Sequence, residues 1–414
     1  MKKIRYLQNF IFNMDVALVN IFIRRDSKIV LVGAWMGDKF ADNSRFLYQY
    51  LHLNRDKLGL KRVIWYTRNQ KVYDDLKQLG YDVIKGGTGK AVYWHLKSGI
   101  HIICNDSLDF MPIKPDIETR FSWGAKKIQL WHGVGMKSVG EGSNKEKKKK
   151  NSKGRISNFV SELVKHSSVF SSGGWQNCYF LSSSRFNGEV NIRIAGCRKE
   201  NLIFSCYPRN CQCLKYMKTE GNVINCIKKY RRSILFLPTF RDANVEYDNP
   251  INNVKIRKFL DENNILWIEK SHPADKNNWN TELQSNNILK LDSDFDINVL
   301  YPFVDIILTD YSSVSFDAIY HNIPLIMYTP DYVRFKNGNV GFLFDVSDWC
   351  GAFMVYTIDD LILTLMNCIL APDIYIKERI ESYRRLNEIF WDCEDSSYEK
   401  FIKDCKLIKY KGDK

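Results

Sequence analysis

What this chain lacks narrows its function first. Its eleven cysteines are an odd number in 414 residues. None pairs at a metal-binding spacing: the nearest two, Cys211 and Cys213, have a single residue between them, where zinc sites use roughly two to four. A zinc module is therefore not expected, and the cysteines read as reduced, half-buried small hydrophobes of a cytoplasmic protein. No acidic cluster has the pattern of a metal holder, so neither a metal ion nor another cofactor is expected. There is no zinc-finger spacing, no RNP-type aromatic motif and no basic heptad region, which removes nucleic acid from the expected partners. A clean membrane-spanning run is missing as well. Residues 7–23 are rich in apolar side chains, but Gln8, Asn9, Asn13, Asp15 and Asn20 interrupt them, and a spanning helix needs about 20 mostly apolar residues. No small-residue cleavage site follows, which argues against a secretory signal. No internal repeat stands out.

What is present is a globular composition, 45% hydrophobic and 26% charged, with a formal net charge of +14. That surplus favours partners that carry phosphate. A length of 414 residues suits two domains. Within residues 1–27, Phe10, Ile11, Met14, Leu18, Ile21 and Phe22 recur at helical spacing, with Lys2, Lys3 and Arg5 before them and Arg24 and Arg25 after. The pattern fits an interfacial helix on an anionic membrane and equally an amphipathic helix packed on its own domain. A basic run at 145–155 (Lys145, Lys147 to Lys150, Lys153, Arg155) reads either as a solvated loop or as a contact for anionic headgroups or a polyanionic acceptor.

Short β-type runs alternate with helical patterns along the rest. Strands are expected at 28–33, 63–67, 82–84, 100–104 and 127–130, with helices at 44–52 and 72–79 between them. The scheme repeats with strands at 233–237, 265–270, 288–291, 305–309 and 324–328 and a helix at 314–320. Such alternation signals parallel α/β sheets, whose ligands bind beyond the carboxyl ends of the strands. The distinctive polar residues cluster at those ends in both halves, which suggests two α/β domains facing each other across a cleft.

Four motifs sit there. Trp131-His132-Gly133, with Lys137 following, puts an imidazole at a strand end with open space beside it. Such a group can take a proton from a hydroxyl near neutral pH, and Lys137 could hold an anion. Pro238-Thr239-Phe240-Arg241-Asp242 offers a planar guanidinium to a phosphate. Lys270-Ser271-His272-Pro273 places a second histidine where it could donate to a phosphoryl oxygen or protonate a leaving phosphate. Thr309-Asp310-Tyr311-Ser312-Ser313 lies between a buried strand and a helix. Asp310, Ser312 and Ser313 are expected to cap that helix, whose N-terminus suits phosphate. Taken singly, each fragment is better explained by a structural role; together they offer the positioning and charge neutralisation that phosphoryl transfer requires.

In order and spacing these motifs resemble the signatures of the CDP-glycerol glycerophosphotransferases, the teichoic-acid primases and polymerases. Phe316-Asp317, Pro324 and Tyr328 continue the pattern, and Asp42-Asn43-Ser44 with Phe46-Leu47 resembles the family's early signature. The likeness covers residues 28–400. It implies a GT-B-like fold of two Rossmann-like domains: an acceptor-side domain at 28–205 and a nucleotide-binding domain at 206–385, with 1–27 before them and a helical segment at 386–414 after. It implies peripheral attachment to the inner face of a bacterial membrane. The partners implied are CDP-glycerol or a related CDP-polyol and a lipid-linked glycan or polymer acceptor. By the resemblance His132 is the general base and His272 contacts the diphosphate or assists departure of CMP. Thr239, Thr309, Asp310, Ser312 and Ser313 make the donor side, to which Arg241 is added on its charge, and Gly133, Lys137 and Asp42 the acceptor side. Two departures stand out: Val134-Gly135 replaces the usual Thr-Pro, and Gly196-Cys197-Arg198-Lys199-Glu200-Asn201 is a reduced form of the interdomain pattern. Both fall where acceptor and hinge geometry are set. A nucleotide-sugar glycosyltransferase of the same architecture and a non-catalytic binding protein exploiting the +14 charge are the competing readings.

Overall fold

The computed structural model describes residues 19, 22–105, 125–130, 132–133, 136, 179–182, 202–204, 215–239, 249–270, 287–338, 342, 345–390, 398–404 and 407–408. Most of the 1–27 segment, the basic run at 145–155, the 134–135 and 196–201 departures, and Lys137, Arg241 and His272 lie outside the described residues. Two compact units divide the chain. The first opens on β1 (Asp26–Val32), followed by α1 (Asp42–Leu53), β2 (Arg62–Thr67), α2 (Gln70–Gln78), β3 (Val83–Lys85), α3 (Gly89–Lys97), β4 (Ser98–Ile103), β5 (Lys126–Gln129), β6 (Tyr179–Ser182) and β7 (Leu202–Phe204). Its sheet runs β3-β2-β1-β4-β5-β6-β7, with every pairing parallel.

Because helices cover both faces, the central strands are apolar along their length rather than alternately. Val30, Val32, Val63, Trp65, Ile100 and Ile102 point into one core, while Ile29, Leu31, Ile64, Tyr66 and Ile103 point into the other. The helices start where side chains satisfy their first N–H groups: Asn69 accepts from Lys71 and Val72 ahead of α2, and Thr88 accepts from Ala91 ahead of α3. At the far end of α3, Arg25 donates to the carbonyls of His95 and Ser98 at 2.8 Å each, which suits the negative end of a helix dipole. Burial first, and Arg25 second, push the His95 imidazole down to about 3.

The second unit takes Gly133–Lys145 and Lys218–Asp392; its elements are α4 (Lys218–Ile227), then β8 (Arg232–Leu237), α5 (Val254–Glu262), β9 (Ile265–Glu269), β10 (Ile288–Lys290), β11 (Ile306–Thr309), α6 (Val314–Tyr320), β12 (Leu325–Tyr328), α7 (Tyr332–Lys336), α8 (Val346–Cys350), β13 (Met354–Val355), α9 (Ile358–Leu370), α10 (Pro372–Glu378) and α11 (Ile380–Phe390). Its parallel sheet runs β10-β9-β8-β11-β12-β13, around a core holding Ile234, Phe236, Trp267, Ile306 and Leu308. The last helix, α12 (Tyr398–Asp404), belongs to the first unit: Phe401, Ile402 and Leu407 sit in its larger core. No helix of the described residues is long and apolar enough to cross a membrane.

Candidate active site

Each sheet has a topological switch point where the chain leaves neighbouring strands in opposite directions, and such points are where ligands bind in doubly wound folds. In the first unit the switch lies between β1 and β4. Gly33 still donates to Ile102 at 3.0 Å, and then the backbone turns sharply. Trp35, Met36 and Asp42 take φ values of 47°, 57° and 67°. Aspartate tolerates the left-handed region, but a bulky tryptophan is held there only by its surroundings. Those surroundings are specific. The Trp35 N–H donates to Asn105 Oδ1 at 3.2 Å, just past the end of β4. Its indole N–H donates to Asp42 Oδ2 at 3.3 Å. The other carboxylate oxygen accepts from the Asn43 N–H at 2.9 Å, and Asp42 is buried, 6% exposed.

His132 arrives beside this cluster from β5. Leu130 donates to Ile103 at 2.8 Å, extending the ladder, and two residues later His132 Nδ1 lies 3.4 Å from the Cys104 carbonyl oxygen. A carbonyl only accepts, so this contact requires the proton on Nδ1 and makes Nε2 the basic nitrogen of the neutral ring. The imidazole also lies against Trp35, with ring centroids 6.1 Å apart and planes inclined by 54°. His132 and Gly133 are partly exposed. Two residues that the sequence singled out separately, Asp42 and His132, are thus joined through Trp35, a residue it did not single out.

The second switch lies between β8 and β11 and is built differently. Thr309 Oγ1 donates to the Leu237 carbonyl at 2.6 Å. The Asp310 carboxylate accepts the Thr239 N–H on both oxygens, at 2.9 and 3.0 Å, and the Tyr311 N–H at 2.5 Å. Asp310 is fully buried. It therefore ties the two central strand ends together instead of capping the next helix, which corrects the capping expectation. Ser313 corrects it too: it holds the N-cap position of α6 in helical geometry, φ −59° and ψ −17°, with no capping bond from its side chain. Ser312 caps marginally, accepting from Val314 at 3.5 Å. Both serines are partly exposed, while Tyr311 between Asp310 and them is buried, stacked on Phe335 at 4.2 Å and donating to Asp331 at 2.8 Å. The hydroxyls are held on a firm base.

A third feature lies one strand over. Glu269, at the end of β9, is 2% exposed and accepts from Asn249 Nδ2 at 3.2 and 3.3 Å and from Trp267 Nε1 at 3.1 Å. The next residue, Lys270, donates to the Phe295 carbonyl at 2.6 Å. The Glu269–Asn249 pair ties residue 249 to the end of β9. A lone acid at a strand end with an asparagine 20 residues earlier leaves no local sequence pattern.

Comparison with known proteins identifies the family and the fold. The family model for CDP-glycerol:poly(glycerophosphate) glycerophosphotransferase matches residues 16–397. The teichoic acid poly(glycerol phosphate) polymerase of Bacillus spizizenii is 25% identical over 361 residues, covering 83% of this chain and 84% of that protein. The teichoic acid glycerol-phosphate transferase of Staphylococcus aureus is 22% identical over 338 residues, covering 77% and 78%. The solved structure of the wall teichoic acid polymerase TagF superposes with a TM-score of 0.66 at 17% identity, over 98% of this chain and 97% of that one. The fold is GT-B-like.

Proposed function

The chain belongs to the CDP-glycerol:poly(glycerophosphate) glycerophosphotransferase family, and from that premise we propose how its own residues carry the reaction. An acceptor hydroxyl attacks the phosphorus that bears the polyol, glycerol in the first instance, of a CDP-linked donor. The new bond forms from the hydroxyl oxygen, whose proton passes to His132 Nε2. The bond from that phosphorus to the bridging oxygen breaks in line, and CMP departs with the electron pair. Arg241 and the hydroxyls of Ser312 and Ser313 receive its phosphate, and His272 donates to it. Thr309 and Asp310 act one step back, Thr309 by holding Leu237 and Asp310 by holding Thr239 at the strand end. Gly133, Lys137 and Asp42 serve the acceptor. Catalysis of this kind rests on positioning and charge neutralisation more than on covalent help.

The acceptor we propose is a membrane-linked glycan or polymer of the teichoic-acid type, met at the inner face of a bacterial membrane. The basic residues at 145–155 and the amphipathic segment at 1–27 suit that surface. Sedimentation with anionic against neutral vesicles tests the attachment; equal recovery with both would remove it.

One observation carries the catalytic reading: the Cys104 carbonyl selects the tautomer of His132 whose Nε2 accepts a proton. His132→Ala should lower turnover of CDP-glycerol with its acceptor by about 10²–10⁴-fold while leaving the fold intact. Turnover near wild type would refute the base assignment. Calorimetric titration with CDP-glycerol, CDP-ribitol and nucleotide sugars tests the donor, and tight binding confined to a nucleotide sugar would overturn the reading.

A further inference from the structure

The mechanism above uses His132 but gives no part to the aromatic ring beside it. Trp35 adopts a conformation that a bulky residue takes only under constraint, φ 47°, and two hydrogen bonds hold it there. Asn105 fixes its backbone and Asp42 fixes its indole. Among the described residues the fixed indole meets one titratable ring, that of His132, at 6.1 Å between centroids. An indole is the best side chain for attracting a cation through its π-system, and the attraction reaches about 6 Å from the centroid. Before proton transfer the imidazole is neutral; after it, the ring carries a full positive charge. Any group that prefers the charged ring favours the product of proton transfer and the transition state leading to it.

We propose that Trp35 is a positioning residue for the general base: anchored by Asp42 and Asn105, its indole holds the imidazole of His132 in place and stabilises the cationic ring formed when it takes the acceptor's proton. The inference rests on the assignment of His132 as the base. Among the described residues, the other charged or titratable groups at this point are Lys39, whose ammonium lies 4.8 Å from the indole centroid, Asp42 itself, and Cys104, whose thiol donates to Asn105 Oδ1 at 3.0 Å. Lys39 and a cationic His132 would share one π-system. The Asp42 carboxylate offsets that competition, since accepting the indole N–H proton pushes electron density toward the ring. A negative charge behind the indole is thus relayed to the histidine without touching it. The same arrangement gives the positive φ values at Trp35 and Asp42 a purpose, because the turn they belong to brings the indole N–H onto Asp42, seven residues later.

The experiment compares Trp35→Phe and Trp35→Leu with the parent enzyme in two measurements. In the first, kcat/KM is followed from pH 5 to 9. In the second, the His132 ring is titrated by NMR in the full-length protein, with its resonance assigned from His132→Gln. Trp35→Leu should lower the His132 midpoint by about 0.5–1 unit and kcat/KM on its plateau by about 3–30-fold, while Trp35→Phe, which keeps a π-face, retains most of both. A packing role alone would lower stability and leave the midpoint in place. An unchanged midpoint in Trp35→Leu, with His132→Ala still inactive, would overturn the inference and leave the base assignment standing. Activity in His132→Ala would remove the assignment itself. Should Trp35→Leu fail to fold, the Trp35→Phe titration decides: a midpoint shifted down by a few tenths supports the proposal, and one equal to wild type refutes it.

Discussion

Both sheets run in the same strand order from one edge to their switch point, yet the residues just past the central strands do opposite things. In the first unit the chain leaves β1 through strained backbone and builds a ring cluster around a partly exposed histidine. In the second it leaves β8 and β11 through a fully buried carboxylate with its acceptor sites filled by backbone N–H groups. The same topology thus offers two kinds of site. The first is suited to moving a proton, which needs a group whose charge changes and neighbours that tolerate the change. The second is suited to holding a phosphate, which needs donors that do not move. Two aspartates mark the contrast. In the proposed mechanism Asp42 supports a side chain that meets the chemistry, whereas Asp310 supports the scaffold beneath it.

The sharpest way to break this contrast is Asp310→Ala. It leaves the buried Thr239 and Tyr311 N–H groups without their acceptor, which should destabilise the protein by roughly 2–5 kcal/mol, read as a lower urea midpoint. A loss below about 0.5 kcal/mol would show that the carboxylate is a ligand group rather than a tie. Acid should next weaken the first unit. His95 is buried and held to about 3, below its unfolded value near 6.5, so the unfolded chain binds a proton that the folded one refuses. Stability from this group is present in full above about pH 6.5 and is lost progressively as the pH falls toward 3. Denaturant midpoints measured across that window should fall less steeply in His95→Gln; parallel curves would exclude His95 as the cause. Ser313→Ala has the smallest effect. It should weaken CDP binding about 3–10-fold by calorimetry and leave the melting temperature unchanged, since the hydroxyl caps nothing. A lower melting temperature with unchanged CDP affinity would return Ser313 to a structural role.

Much of the fold was legible because strands buried on both faces are continuous apolar runs. The expected 63–67 and 233–237 differ by one residue from β2 and β8, and the expected 314–320 coincides with α6. The helix α3 and the strand β13, two residues long, carried no comparable signal. His132 was legible as a histidine between a strand and a glycine. Its link to Asp42 was not, since it depends on positive φ at a tryptophan and on a ring contact across 97 residues of chain, from 35 to 132. The serines were legible as helix-start residues, but the inference to capping failed at Asp310, because a carboxylate at a switch point finds stronger donors in the neighbouring strand end than in its own helix.

The return of α12 to the first unit has a consequence for how the protein is made. Tyr398 stacks on Tyr50 at 4.5 Å, Glu399 accepts from the Tyr50 hydroxyl at 2.5 Å across 349 residues of chain, and Phe401 and Ile402 are fully buried. A ribosome therefore delivers the last pieces of the first core only after the whole second unit has emerged. The core of the first unit stands open along the α12 side while the second unit is synthesised, and the length of the second unit sets that interval.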